Sequence, residues 1–210
     1  EALRTALAGA AVDLVVLSAP GPSADLEAVA YAALEDAGLG AGYRAAVGRY
    51  REHLDALGAA SFSRVLAVIR APRRTGGRIA VELPVPAMAG IGAAALDRYL
   101  AALDLASAPD AAILGAAVRP APEARIRAER SPGAEEADAI SVRFEPGYVG
   151  AERQVSEAGA FLLDALSAAA SVEEAVARFA EAASAAGDEA RRTVLDFVRE
   201  GLSRGLLVAP

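Results

Sequence analysis

The sequence has no cysteine, no lysine and no tryptophan, and its single histidine is His53. Without cysteine the chain forms no disulfide and has no thiolate chemistry, so the cytoplasm is the predicted compartment. One histidine excludes a multi-histidine metal site and any mechanism that needs a second histidine. All 21 basic residues are arginine and alanine is abundant, a bias typical of a GC-rich genome.

Long apolar runs and positive net charge are also missing. No stretch reaches the roughly 20 apolar residues of a membrane helix, and no charged n-region and apolar h-region mark a signal peptide. The net charge of −7 argues against nucleic-acid binding, because phosphate contacts need a local basic surplus. The chain opens at Glu1 without an initiator Met, which predicts a processed chain or a piece of a longer one.

What is present is an alternation of strand and helix patterns. Val12–Leu17 is a short apolar run that predicts a buried strand, closed by a breaker loop from Ser18 to Pro22. Ser23 begins a helix that we expect to reach Ala37. A second helix follows, whose apolar residues recur every three or four positions at Tyr43, Val47, Tyr50, Leu54 and Leu57.

The middle of the chain is predicted to contain a hairpin, a helix, a short helix or bend, and more strands. Phe62–Ile69 and Arg78–Val85 flank a Gly-Gly pair and predict an antiparallel β-hairpin. Helical spacing returns over Gly92–Leu105, and Pro109–Ala117 is predicted to be a short helix or a bend. Strands are then expected at Arg125–Arg130 and around Ile140, Val142 and Phe144, separated by the polar turn Ser131–Asp138.

Three capped helices are predicted near the C-terminus. Ser156 caps the first, and Ser171 with Glu174 forms a capping box for the second. Asp188 is expected to cap the third, and Leu206–Val208 is expected to form a closing strand. This arrangement of about 55 residues is typical of a winged-helix-like module.

None of the candidate chemical motifs is complete. Ser18-Ala19-Pro20 resembles a degraded Asn-Pro-Pro, yet a serine lacks the paired donor and acceptor of an amide, and a plain strand exit is the better interpretation. Gly90-x-Gly92 precedes a helix but does not form a phosphate-binding loop. His53 is expected to be a half-exposed structural residue. The sequence therefore predicts no catalytic, cofactor-binding or metal-binding residue.

Charged clusters also favour structural interpretations. Arg70, Arg73, Arg74 and Arg78 form the densest basic group, which could meet a phosphate or carboxylate but is better explained as a solvated turn. The run Glu135, Glu136 and Asp138 lacks calcium or zinc spacing. In the last helix, acidic residues offset the arginines one for one, which weakens a DNA-reading role. The residues concerned are Arg191, Arg192, Arg199, Arg204, Asp188, Glu189, Asp196 and Glu200.

The order of elements resembles one family. The residues that carry the resemblance are Asp13–Leu17 with a following helix, the stretch from Tyr43 to Arg74, and Val149–Leu207 with its three helices. Together they are similar to the C-terminal half of a group of actinobacterial class I S-adenosylmethionine-dependent methyltransferases. The members of this group combine a seven-stranded Rossmann-like sheet with an uncharacterised winged-helix-like tail. The tryptophans expected near Leu14 and Tyr50 are absent from this sequence.

The resemblance implies that the cofactor-binding motifs and this chain belong to different parts of one protein. The glycine-rich cofactor loop, the acidic residue for the ribose and the Asn-Pro-Pro-Tyr-type motif would lie before Glu1, so S-adenosylmethionine would bind outside this chain. Residues 1–117 would be the C-terminal part of the methyltransferase-like α/β domain. Residues 118–210 would be a β-rich connector plus the winged-helix-like domain.

The sequence thus predicts an α/β (or α+β) fold, with late strands of a Rossmann-like sheet, an antiparallel hairpin and a winged-helix-like C-terminal domain. The predicted function is the accessory, substrate-recognition portion of a methyltransferase, not catalytic by itself and partnered by the N-terminal catalytic half. A non-catalytic winged-helix module that binds a peptide or protein is the first alternative. A transcription regulator is the second.

Overall fold

A computed structural model of the chain describes residues 10, 12–20, 42–56, 63–72, 79–85, 90–129, 139–150 and 152–209. Within these ranges the fold is mixed α/β, with six helices and three small sheets. The helices are α1 (Tyr43–Ala56), α2 (Ala93–Ala106), α3 (Asp110–Gly115), α4 (Glu157–Ala168), α5 (Val172–Ala183) and α6 (Gly187–Ser203). The strands are β1 (Asp13–Pro20), β2 (Ser63–Arg70), β3 (Ala80–Pro84), β4 (Arg119–Pro120), β5 (Ala124–Glu129), β6 (Ala139–Phe144), β7 (Arg153–Val155) and β8 (Leu207–Val208).

The first sheet has the order β2-β1-β3. β1 pairs antiparallel with β2, with Asp13 opposite Arg70, and parallel with β3, with Leu14 opposite Ala80. The predicted hairpin of Phe62–Ile69 with Arg78–Val85 is therefore wrong, because the two strands lie on opposite sides of β1. A central strand is shielded on both edges, and the largely apolar β1 occupies that position.

β1 is also longer than the sequence indicates. It continues through Ser18 and Ala19 to Pro20, and the Ser18 carbonyl accepts a hydrogen bond of 2.7 Å from the amide of Val85. A proline is tolerated at the end of a strand, where its missing N–H leaves little of the ladder unpaired. The predicted breaker loop thus begins later than Ser18.

The other two sheets are small and antiparallel. β5 pairs with β6 and β6 with β7, which confirms the strands predicted around residues 125–130 and 140–144. β4 pairs with the closing strand β8, through Arg119 opposite Val208. The two strands of this last pair are close to 90 residues apart in sequence, so the pairing ties the C-terminus to the middle of the chain.

Three buried clusters form the core of the part of the chain that the structure describes. The largest joins residues of α2 and α3 to α4, α5, α6 and β8, and includes Ala102, Ile113, Leu166, Val198 and Leu207. The second joins the first sheet to α2 through Val15, Leu17, Leu83, Tyr99 and Leu103. A third, smaller cluster surrounds Tyr148. The division predicted between residues 117 and 118 stays a prediction, and the largest cluster contains residues from both sides of it.

The three C-terminal helices are confirmed, with one cap corrected. Ser156 Oγ accepts from the Gly159 amide at 3.1 Å, and Ser171 Oγ accepts from the Glu174 amide at 3.3 Å. α6 begins one residue before Asp188, after an N-cap at Ala186, so Asp188 lies in the first turn and is not the cap. That the three helices form a winged helix stays a prediction.

Removing the Ser171 hydroxyl tests the capping box. Glu174 reaches back to the Ala170 amide at 2.7 Å, and this backbone hydrogen bond, followed by one from Arg178, lowers the pKa of its carboxyl. Ser171→Ala is expected to lower the free energy of unfolding by about 1 kcal/mol, since an N-cap oxygen is lost. Urea unfolding followed by circular dichroism measures it. Ser167→Ala, which removes a hydroxyl bonded to Leu163 O within α4, should change it by less than about 0.5 kcal/mol.

Candidate functional site: the open edge of the first sheet

The described part of the first sheet is open along the outer edge of β2. Its residues pair with β1 on one side only, and no other described strand lies against the far side. Three large apolar side chains of this strand are exposed, namely Val65 at 57%, Leu66 at 38% and Ile69 at 50%. An exposed apolar edge strand offers free backbone N–H and C=O groups to another strand.

The two faces of β2 differ in what covers them. Residues directly opposite each other on paired strands share a face, so Leu66, Val68 and Arg70 lie on the face of Leu17 and Val15, which the second core cluster covers. Val65, Ala67 and Ile69 lie on the other face, and all three are exposed. The apolar surface of β2 therefore extends around its edge from one face to the other.

Arg70 anchors the end of β2. Its Nε lies 3.3 Å from Asp13 Oδ2, and its two terminal nitrogens donate to the carboxylate of Asp104 on α2, at 3.0 Å for the Nη1 bond. Asp13 is completely buried, and its Oδ1 also accepts from the Ile79 amide at 2.8 Å. The guanidinium thus connects β1, β2 and α2. The prediction that Arg70 belongs to a solvated basic turn is wrong for this residue.

A second polar cluster surrounds Tyr148. The ring stacks on Phe144 at 5.5 Å between centroids, and the guanidinium of Arg98 lies 6.0 Å from its centre. Arg98 also donates to Glu123. Burial first, and the nearby Glu123 second, raise the pKa of Tyr148 above its ordinary value, while Arg98 opposes them. The phenol therefore stays protonated at neutral pH and is no general base.

Tyr99 is a buried tyrosine with a structural role. Its hydroxyl donates to the carbonyl of Ser203 at 2.8 Å, which joins α2 to the end of α6. Burial, with a smaller contribution from Tyr148, raises the pKa of this phenol as well. Gly205, two residues after Ser203, has a φ of +72°, and its backbone packs against the carbonyl oxygen of Val149.

A shallow cleft of about 240 Å³ lies between α3 and α6. It is lined by Leu195 and by equal numbers of opposite charges: Asp110, Asp188, Asp196, Arg191, Arg192 and Arg199. Arg199 is held by Asp110 at 2.8 Å and by the Ala108 carbonyl at 3.0 Å, and Arg204 pairs with Glu200 at 3.2 Å. Arg204 thus pairs with an acidic residue of the same helix, whereas the partner of Arg199 is on α3.

The remaining residues singled out in the sequence do not join these groups. Ser18 lies inside β1, and His53 is exposed on α1. Gly90 has a φ of +86° and its backbone lies against Gly147. The basic residues Arg73, Arg74 and Arg78, the Gly76-Gly77 pair, the helix from Ser23 to Ala37 and the acidic run from Glu135 to Asp138 lie outside the described residues. The sequence predicts β2 as a strand from its apolar residues, but no local pattern indicates that the strand lies at an open edge.

Comparison with protein-family models, with curated proteins and with solved structures gives no match for this chain. Among the described residues, no three or more His, Cys, Asp or Glu side chains are placed to hold a metal ion. No helix in the described ranges has both the length and the apolar character needed to cross a membrane. The methyltransferase resemblance therefore stays a prediction.

Proposed function

We propose that this chain is the non-catalytic, partner-binding portion of an S-adenosylmethionine-dependent methyltransferase, with the cofactor bound by a catalytic half outside it. The open first sheet is the observation that supports the proposal. Among the described strands β1 is paired on both sides, so a further strand can join them only at the outer edge of β2 or of β3. A sheet with such edges is suited to completion by another polypeptide segment.

The two edges differ in direction. β3 runs parallel to β1, which is the arrangement of strands in a Rossmann-like sheet, whereas β2 runs antiparallel. We therefore assign the β3 edge to strands of the catalytic half. The β2 edge, with its exposed apolar side chains, is left for a different contact.

The described polar clusters favour binding over catalysis. Arg70 is engaged by two carboxylates, and Tyr148 is a phenol whose raised pKa keeps it protonated. Arg199 and Arg204 are engaged in ion pairs, and the acidic residues of the last segment equal its arginines in number, which argues against a nucleic-acid partner. A peptide-binding module and a transcription regulator remain the alternatives.

Isothermal titration calorimetry with S-adenosylmethionine tests the proposal. The 210-residue chain is expected to give no binding heat at about 1 mM cofactor, a concentration at which even a ligand with a dissociation constant of about 1 mM would half-saturate its site. A longer chain that includes the residues encoded upstream of Glu1 should bind the cofactor. Micromolar binding by the 210-residue chain alone would place the site here and overturn the proposal.

A further inference from the structure

The sequence of the β2 strand is nearly the same read in either direction, and this strand lies at the exposed edge of the sheet. Residues 64–70 read Arg-Val-Leu-Ala-Val-Ile-Arg, so that each residue matches its counterpart on the other side of Ala67. Val65 corresponds to Ile69, and Leu66 corresponds to Val68. A strand that reads alike in both directions is complementary to a second copy of itself that runs antiparallel.

We propose that two copies of this chain pair along β2, antiparallel and about a twofold axis at Ala67. The pairing gives one continuous six-stranded sheet with the order β3-β1-β2-β2-β1-β3. The inference rests on the proposed function, because it names the partner at the edge that the catalytic half leaves free. An isologous contact of this kind is the commonest way in which soluble chains form dimers.

The register follows from the exposed side chains. With Ala67 opposite Ala67 of the second copy, Val65 lies opposite Ile69 and Leu66 lies opposite Val68. Shifting either strand by two residues places Arg70 opposite an apolar residue of the other copy. Only the centred register brings together apolar residues at every position from 65 to 69.

The geometry of the two faces agrees with this register. A twofold axis perpendicular to the sheet makes the strands antiparallel and leaves the α2-covered face of both copies on the same side. The exposed residues Val65, Ala67 and Ile69 then form one apolar band with their counterparts across the axis. Contact across the axis shields part of the apolar surface of Val65 and Ile69, which are 57% and 50% exposed in the single chain.

Charge does not oppose the pairing. The register places Arg64 of one copy opposite Arg70 of the other. Arg70 lies between the carboxylates of Asp13 and Asp104, so its positive charge is offset within its own copy. Like charges directly opposite each other destabilise a strand pair, and this offset removes the main objection to the centred register.

Sedimentation velocity and light scattering on the purified chain test the inference. A strand-edge contact is small, so a dissociation constant of about 10 µM is expected, with dimer dominant at about 100 µM chain. Ala67→Glu puts two carboxylates face to face at the axis and should raise the dissociation constant at least about 30-fold. Ala67→Arg should do the same, and an equimolar mixture of the two variants should recover the dimer as a heterodimer.

A control variant separates this edge from exposed apolar strands in general. Ile126 on β5 is 47% exposed, so Ile126→Glu should leave the dimer unchanged. A wild-type chain that stays monomeric at about 100 µM overturns the inference, as does a dimer that Ala67→Glu does not weaken. Failure to recover the heterodimer overturns the Ala67 register. None of these results depends on cofactor binding, so the calorimetric test of the proposed function stands or fails separately.

Discussion

Gly205→Ala is expected to destabilise the fold by about 3 kcal/mol, because alanine would have both an unfavourable backbone conformation and a steric clash at this position. The backbone of Gly205 has a φ of +72°, a region that alanine rarely adopts. A Cβ built there would lie 2.1 Å from the carbonyl oxygen of Val149, which is backbone and can move only with its segment. Urea unfolding followed by circular dichroism should show a clearly lower midpoint.

Gly187→Ala is the matched control for this prediction. Gly187 is the first residue of α6, and a Cβ there meets no atom within 4 Å. The free energy of unfolding should change by less than about 0.5 kcal/mol. Equal midpoints for the Gly205→Ala and Gly187→Ala variants would contradict the close approach of residue 205 to Val149.

Arg70→Met is expected to cost about 3 kcal/mol of stability. The guanidinium is 14% exposed and pairs with Asp13, whose side chain is completely buried, so its removal takes a paired positive charge from a carboxylate without access to water. Breaking a buried ion pair by deleting one partner is far more costly than breaking an exposed one. Thermal or urea unfolding measures the loss, which should persist at about 0.5 M salt because buried pairs are poorly screened.

Two further variants identify the cause of that loss. Asp13→Asn added to Arg70→Met should recover part of the stability, because the amide oxygen still accepts from the Ile79 amide while the buried negative charge is gone. Arg51→Met removes an exposed arginine 4.0 Å from Asp55 and should cost less than about 0.5 kcal/mol. If the double variant is no more stable than Arg70→Met, the buried charge is not the reason for the loss.

The contacts of Arg70 also matter for the proposed dimer. Arg70 ends the strand that carries the exposed edge, and its contacts to Asp13 and Asp104 fix that strand against β1 and α2. A folded Arg70→Met variant that no longer dimerises would show that the edge depends on this anchor. The sequence does not indicate that Arg70 holds the exposed strand in place, because there Arg70 is one member of a predicted basic turn.

Local signals in the sequence predicted the helices well. Ser156 and Ser171 cap α4 and α5 as expected. The spacing of Leu96, Tyr99 and Leu103 predicted α2 with both of its ends within one residue of those observed. These signals act over three or four residues, within one turn of helix. The cap assigned to Asp188 was wrong by two positions, since an acidic residue suits the first turn as well as the cap itself.

Strand pairing was predicted less well because it is not local. The Gly-Gly pair between Phe62–Ile69 and Arg78–Val85 favoured a hairpin, yet β1, more than 40 residues before β2, takes the place between them. The partner of a strand depends on which surfaces the whole chain can bury. The same holds for β4 and β8, whose pairing no short-range pattern indicates.

The sequence by itself determined the mixed α/β class, the positions of most helices and strands, and the symmetry of residues 64–70, since each depends on residue type and spacing along the chain. Only the tertiary structure decided that β1 is central, that Arg70 meets Asp13 and Asp104, and that the symmetric strand lies at an open edge. These features arise when distant segments compete for the same buried surface, and that competition is settled by packing across the whole chain.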